Sequence, residues 1–111
     1  MDERLANGIK LFNSGQYFEA HERWEELWRE TQAPSRRLFY QSLIHAAVGF
    51  HHLENANISG GLSQFRKALI KISAVKSYDG IDSEGLIKQL SAALNRKQLN
   101  KPFIQFTLKD H

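Results

Sequence analysis

Cysteine is absent from this chain, which excludes disulfides, thiolate metal sites and a cysteine nucleophile together. Proline occurs only at Pro34 and Pro102. Long apolar runs are missing as well: the stretch from Leu43 to Phe50 is far too short to cross a bilayer and is broken by His45. The start Met1-Asp2-Glu3-Arg4 is polar and unlike a signal peptide, so a soluble, cytoplasmic protein without a membrane partner is expected. Three catalytic or phosphate-binding patterns are missing too: Gly-x-Ser-x-Gly, the P-loop and Gly-x-Gly-x-x-Gly. Ser14, Ser42 and Ser63 lie in no nucleophile motif. With 111 residues, residues 1–111 form one domain with a single core.

Charge is modest in total and uneven in placement. The formal net charge is +3, yet residues 1–54 hold 6 Lys/Arg against 8 Asp/Glu while residues 55–111 hold 9 against 4. A basic second half admits an anionic partner, but no nucleic-acid motif accompanies it, so nucleic acid is not the expected ligand.

The densest chemistry lies in His21-Glu22-Arg23-Trp24-Glu25-Glu26-Leu27-Trp28, which holds both tryptophans, a histidine and three acids in about two helical turns. At helical spacing His21, Trp24, Glu25 and Trp28 share one face, while Glu22, Arg23 and Glu26 point away. An H-E-x-W-E-x-x-W helix in so short a chain resembles the bacterial and archaeal family known as domain of unknown function 309. The resemblance continues through Gln41-x-Leu43-Ile44-His45-Ala46-Ala47, His51-His52-Leu53 and Asn57-x-x-Gly60-Gly61, covering roughly residues 1–77. It implies an all-helical fold and supplies no established activity or cofactor. It also implies glutamine at position 45, so no ligand role for His45 carries over.

Apolar periodicity predicts five helices. Leu5, Ile9 and Phe12 mark the first, over about residues 2–14, before Asn13-Ser14-Gly15-Gln16 breaks the pattern. The second runs over about 18–31. Pro34 precedes a third, over about 35–55, whose Phe39, Leu43, Ala46, Phe50 and Leu53 form one stripe while Gln41, His45, Val48 and His52 form a narrow second arc. Asn57-Ile58-Ser59-Gly60-Gly61 reads as a turn, followed by a fourth helix from about Leu62 to Ser77 with a basic outer face at Arg66, Lys67 and Lys71. A fifth, capped by Asp82 or Ser83, reaches about Lys97 through Leu86, Leu90 and Leu94. Residues 101–111 read as an extended tail, with Ile104, Phe106 and Leu108 alternating with polar positions.

One internal repeat is present. Adding 41 maps Gly8 to Gly49, Phe12 to Leu53, Trp24 to Phe65 and Trp28 to Leu69. The spacings Gly8–Ala20–Trp24 and Gly49–Gly61–Phe65 resemble tetratricopeptide hairpins, in which small residues let helices approach and an aromatic fills the gap. The expected fold is therefore an all-α bundle of two antiparallel hairpins, 1–31 and 35–77, with a capping helix over 82–97 and the tail.

Two readings of function follow. In the first, the protein is a non-catalytic module binding a protein or small ligand, with a polar pocket between helices two and three drawn from His21, Trp24, Glu25, Trp28, Gln41, His45 and His52. Here His21, Glu25, Gln41 and His45 satisfy one another inside the bundle. In the second, it is a metal-dependent enzyme, a hydrolase, in which His21 and Glu25 bind a divalent transition metal with His45 or His52. His-Glu-x-x-His and Glu-x-x-His are both absent, so no cofactor is assigned and no metal favoured.

Overall fold

The computed structural model describes residues 1–75, 78 and 80–96. Five helices follow in order: α1 (Glu3–Asn13), α2 (Tyr17–Glu30), α3 (Pro34–Glu54), α4 (Ile58–Ser73) and α5 (Ser83–Arg96). The described residues contain no strand. The extended tail expected over 101–111 lies outside them, as do residues 76, 77 and 97 at the expected ends of the fourth and fifth helices.

Helix starts follow local chemistry. The Asp2 carboxylate accepts the Arg4 N–H at 2.8 Å, the Asn57 side chain accepts the Gly60 N–H at 3.1 Å, and Asp82 accepts the Gly85 N–H at 3.0 Å. Each satisfies an amide that the first helical turn leaves without an intrahelical partner. Pro34 opens α3, where its missing N–H is no loss. The fourth helix departs from expectation because it begins at Ile58 and takes Gly60 and Gly61 into its first turn. Glycine's poor helix propensity is overruled there by the Asn57 cap and by packing. A Cβ on Gly61 would stand 2.7 Å from the Leu53 side chain and 3.0 Å from the Gly49 carbonyl oxygen.

From α1 to α4, consecutive helices are antiparallel, as contacts show when read in order. Between α1 and α2, Arg4 meets Glu30, Gly8 meets Trp24 and Phe12 meets Tyr17. Between α2 and α3, Tyr17 stacks on Phe50 and Trp28 lies under Arg37. Between α3 and α4, Gly49 meets Phe65 and Leu53 meets Gly61. In every pair one number rises as the other falls. Packing proceeds chiefly from each helix to the next, so the bundle is assembled serially, as stacked hairpins are.

The repeat explains the close approaches. A Cβ on Gly8 would collide with the Trp24 indole, and a Cβ on Gly49 would collide with the Phe65 ring. Each hairpin thus uses a glycine on its first helix as the seat for an aromatic on its second. Phe12, Tyr17, Phe50 and Phe65 join the two hairpins through ring contacts with centroids 4.8–5.7 Å apart. Helix α3 is the spine. It buries Phe39, Leu43, Ala46, Phe50 and Leu53, the predicted stripe, and also Tyr40, Ser42, Ile44 and Ala47.

Candidate functional site

The signature helix divides its residues between two duties. Trp24 is 1% exposed; its indole N–H donates to the Leu5 carbonyl at 3.3 Å, and its ring sits on Gly8. Expected beside a pocket between α2 and α3, this side chain instead faces α1 and belongs to the core. Trp28 is half-buried. The Arg37 guanidinium lies 4.3 Å over its ring and donates to the carbonyls of Trp28 (3.0 Å) and Thr31 (2.8 Å). One arginine of α3 therefore closes the C-terminal end of α2 by cation–π contact and by hydrogen bonds to carbonyls in and just past its last turn. The Trp28 indole nitrogen is buried and has no hydrogen-bond partner.

His21 and Glu25 stay within α2. His21 Nδ1–H donates to the Phe18 carbonyl, and its Nε2 lies 3.8 Å from a Glu25 oxygen, an ion pair only when the imidazole carries its second proton. The other Glu25 oxygen accepts from Arg29 at 3.3 Å. Beside them the Phe18 ring, 46% exposed, contacts His21 at 4.8 Å and His51 of α3 at 5.2 Å between centroids. His51 in turn neighbours His52. Neither Phe18 nor His51 was expected in a site; the pattern at position 18 reads only as a helix start, and the side of α3 carrying His51 is fixed by how α2 packs against it.

His45 turns the other way. Its Nδ1–H donates to Gln64 Oε1 at 2.7 Å, and its Nε2 accepts from Lys71 Nζ at 2.7 Å. Both partners are on α4. The expected network of His21, Glu25, Gln41 and His45 is therefore replaced by two separate sets, one along α2 and one across α3 and α4. Burial lowers the His45 pKa below its usual 6.5; the Gln64 hydrogen bond opposes this, and the positive charges of Lys71 and Lys67 add smaller lowering effects. The Lys71 ammonium is likewise shifted down, by burial first and by Lys67 second. His52 is approached by the Asn57 amide at 3.2 Å, and Gln41 is half-buried on α3. The metal alternative requires His21 and Glu25 to converge with His45 or His52. Among the described residues no three His, Asp or Glu side chains are placed to share an ion.

A cleft of about 590 Å³ opens elsewhere, on the outer side of α1 and α2, lined by Glu3, Arg4, Ala6, Asn7, Lys10 and Arg23. None of its residues was a candidate. Its charges are already engaged in part: Arg4 with Asp2 and Glu30, Arg23 with Glu26. No helix among the described residues is long and apolar enough to cross a membrane.

Helical hairpins stacked in series, with an indole-bearing second helix locked onto a glycine of the first, define an all-α hairpin protein. The chain belongs to the family described as Domain of unknown function (DUF309), whose profile matches residues 5–64. That match spans α1 to α3 and the first part of α4, so Gln64 falls within it and Lys67 and Lys71 beyond it. An uncharacterised protein of Aquifex aeolicus (strain VF5) is 26% identical over 109 residues, covering 96% of this chain and 33% of its own length. The chain thus spans about a third of that curated relative. No solved structure shows a significant match.

Proposed function

We propose that this chain is a non-catalytic binding module that engages a protein or small ligand along the seam between α2 and α3, around Phe18, His21, Glu25 and His51. The observation that carries this reading is the Phe18 ring, 46% exposed and flanked by imidazoles from two helices. An aromatic ring held rigidly at the surface offers apolar contact area at small conformational cost, and the imidazoles and the Glu25 carboxylate beside it supply directional polar contacts. The buried, unpartnered Trp28 indole N–H lies farther along the same seam.

A photo-reactive phenylalanine analogue at position 18 tests the reading. Irradiated in cells, it is expected to give one dominant adduct that is lost on His51→Ala, while the variant keeps its helical circular dichroism. A diffuse spread of adducts, or one insensitive to His51, would overturn it.

A further inference from the structure

We propose that His45, Lys67 and Lys71 form an anion site on the seam between α3 and α4, suited to a phosphate group and separate from the α2–α3 face. Lys67 and Lys71 stand four residues apart on one face of α4, where like charges repel. Lys71 leans into the seam, half-buried, and gives one N–H to His45 Nε2. Gln64 accepts from Nδ1–H and so fixes the tautomer that presents Nε2 to the ammonium. The charges acting on His45 come from α4 alone, from Lys71 and Lys67, and none from α2. The charge acting on Lys71 is again Lys67. No carboxylate among the described residues is paired with either lysine.

Three nitrogens that take or hold protons thus share one seam with no described counter-charge, and two of them, those of His45 and Lys71, are partly withdrawn from water. An oxyanion placed there takes the remaining Lys71 N–H groups and the Lys67 ammonium, and relieves their repulsion. When His45 is protonated, its Nε2–H can no longer accept from Lys71 and becomes a third donor to the same anion. Anion binding and protonation of His45 therefore favour each other, as linkage requires.

The test follows the imidazole resonances of the intact protein by NMR as inorganic phosphate is added at constant ionic strength, with chloride as the matched control. Phosphate is expected to move His45 saturably and to raise its titration midpoint by about half a unit, which corresponds to roughly threefold tighter binding to the protonated form. His21, His51 and His52 stay in place. Lys71→Met should abolish the response and Lys67→Gln weaken it, both with unchanged helical circular dichroism. The wild-type titration decides even where a variant misfolds: an equal shift in chloride, or none at His45 in phosphate, overturns the site. Competition by glycerol 3-phosphate would support a soluble phosphomonoester as the source of the group. Lys71-dependent sedimentation with phosphatidylglycerol vesicles would support a lipid headgroup.

Discussion

At the scale of single residues, His45 shows how burial and neighbours set chemistry. Its pKa is lowered from 6.5 by burial first and by two ammonium groups on α4. Below pH 6.5 the folded protein therefore binds fewer protons at this position than the unfolded chain does. Stability tied to His45 is complete above 6.5 and is lost as pH falls towards the folded pKa, with a slope of at most about 1.4 kcal/mol per pH unit. Urea unfolding across pH 5 to 7 is expected to show this slope in the wild type and a flatter one in His45→Gln. The glutamine retains an acceptor for Lys71 and does not titrate. An unchanged slope would assign the acid sensitivity to other groups. Arg37 is the second instructive residue, since one guanidinium stacks on Trp28 and holds two carbonyls; its replacement removes packing and capping together.

At the scale of helices, the decisive device is a glycine seat beneath an aromatic ring, used once in each hairpin. Gly8 lies under Trp24 and Gly49 under Phe65, with no room for a methyl group at either. Both rings are buried, so neither can swing away without opening the core. Gly8→Ala and Gly49→Ala are each expected to cost about 1 to 3 kcal/mol, the usual range for overpacking a filled interior. Gly15→Ala is the useful contrast. There a Cβ meets nothing within 4 Å, and the cost arises from a backbone φ of +81° instead. Chemical denaturation of the three variants would separate crowding from backbone strain: only the first two should recover stability when their aromatic partner is trimmed, as in Gly8→Ala with Trp24→Leu. Failure of that rescue would mean the seat is not the reason for glycine.

At the scale of the whole molecule, serial packing implies uneven stability. Helix α3 is covered by α2 on one side and α4 on the other, whereas α1 and α5 stand at the two ends of the described stack. In native-state hydrogen exchange the amides of α3 around Leu43 to Phe50 are expected to be the slowest, with protection falling towards α1 and α5. Uniform protection across all five helices would instead indicate one fully cooperative unit. The same seriality creates two independent seams on α3. One carries the Phe18 and His51 rings, the other carries His45 with Lys71, so a change at one need not disturb the other.

The sequence by itself determined the five helices, the stripe on α3 and the glycine–aromatic pairs of the repeat. Apolar spacing reports which side of a helix leaves water, and a glycine at a fixed distance from a large ring reports close approach. It misplaced the start of α4, because a Gly-Gly pair has poor helix propensity and the packing against Leu53 and Gly49 that compensates is not visible locally. It also grouped His21, Glu25, Gln41 and His45 into one set. Periodicity fixes the angle at which His45 leaves α3 but not which neighbouring helix occupies that angle. Only the tertiary structure decided that α4 stands there, bringing Gln64 and Lys71 from 19 and 26 residues away to both ring nitrogens, while His21 and Glu25 remained on α2 beside a phenylalanine that the sequence had marked only as the place where a helix begins.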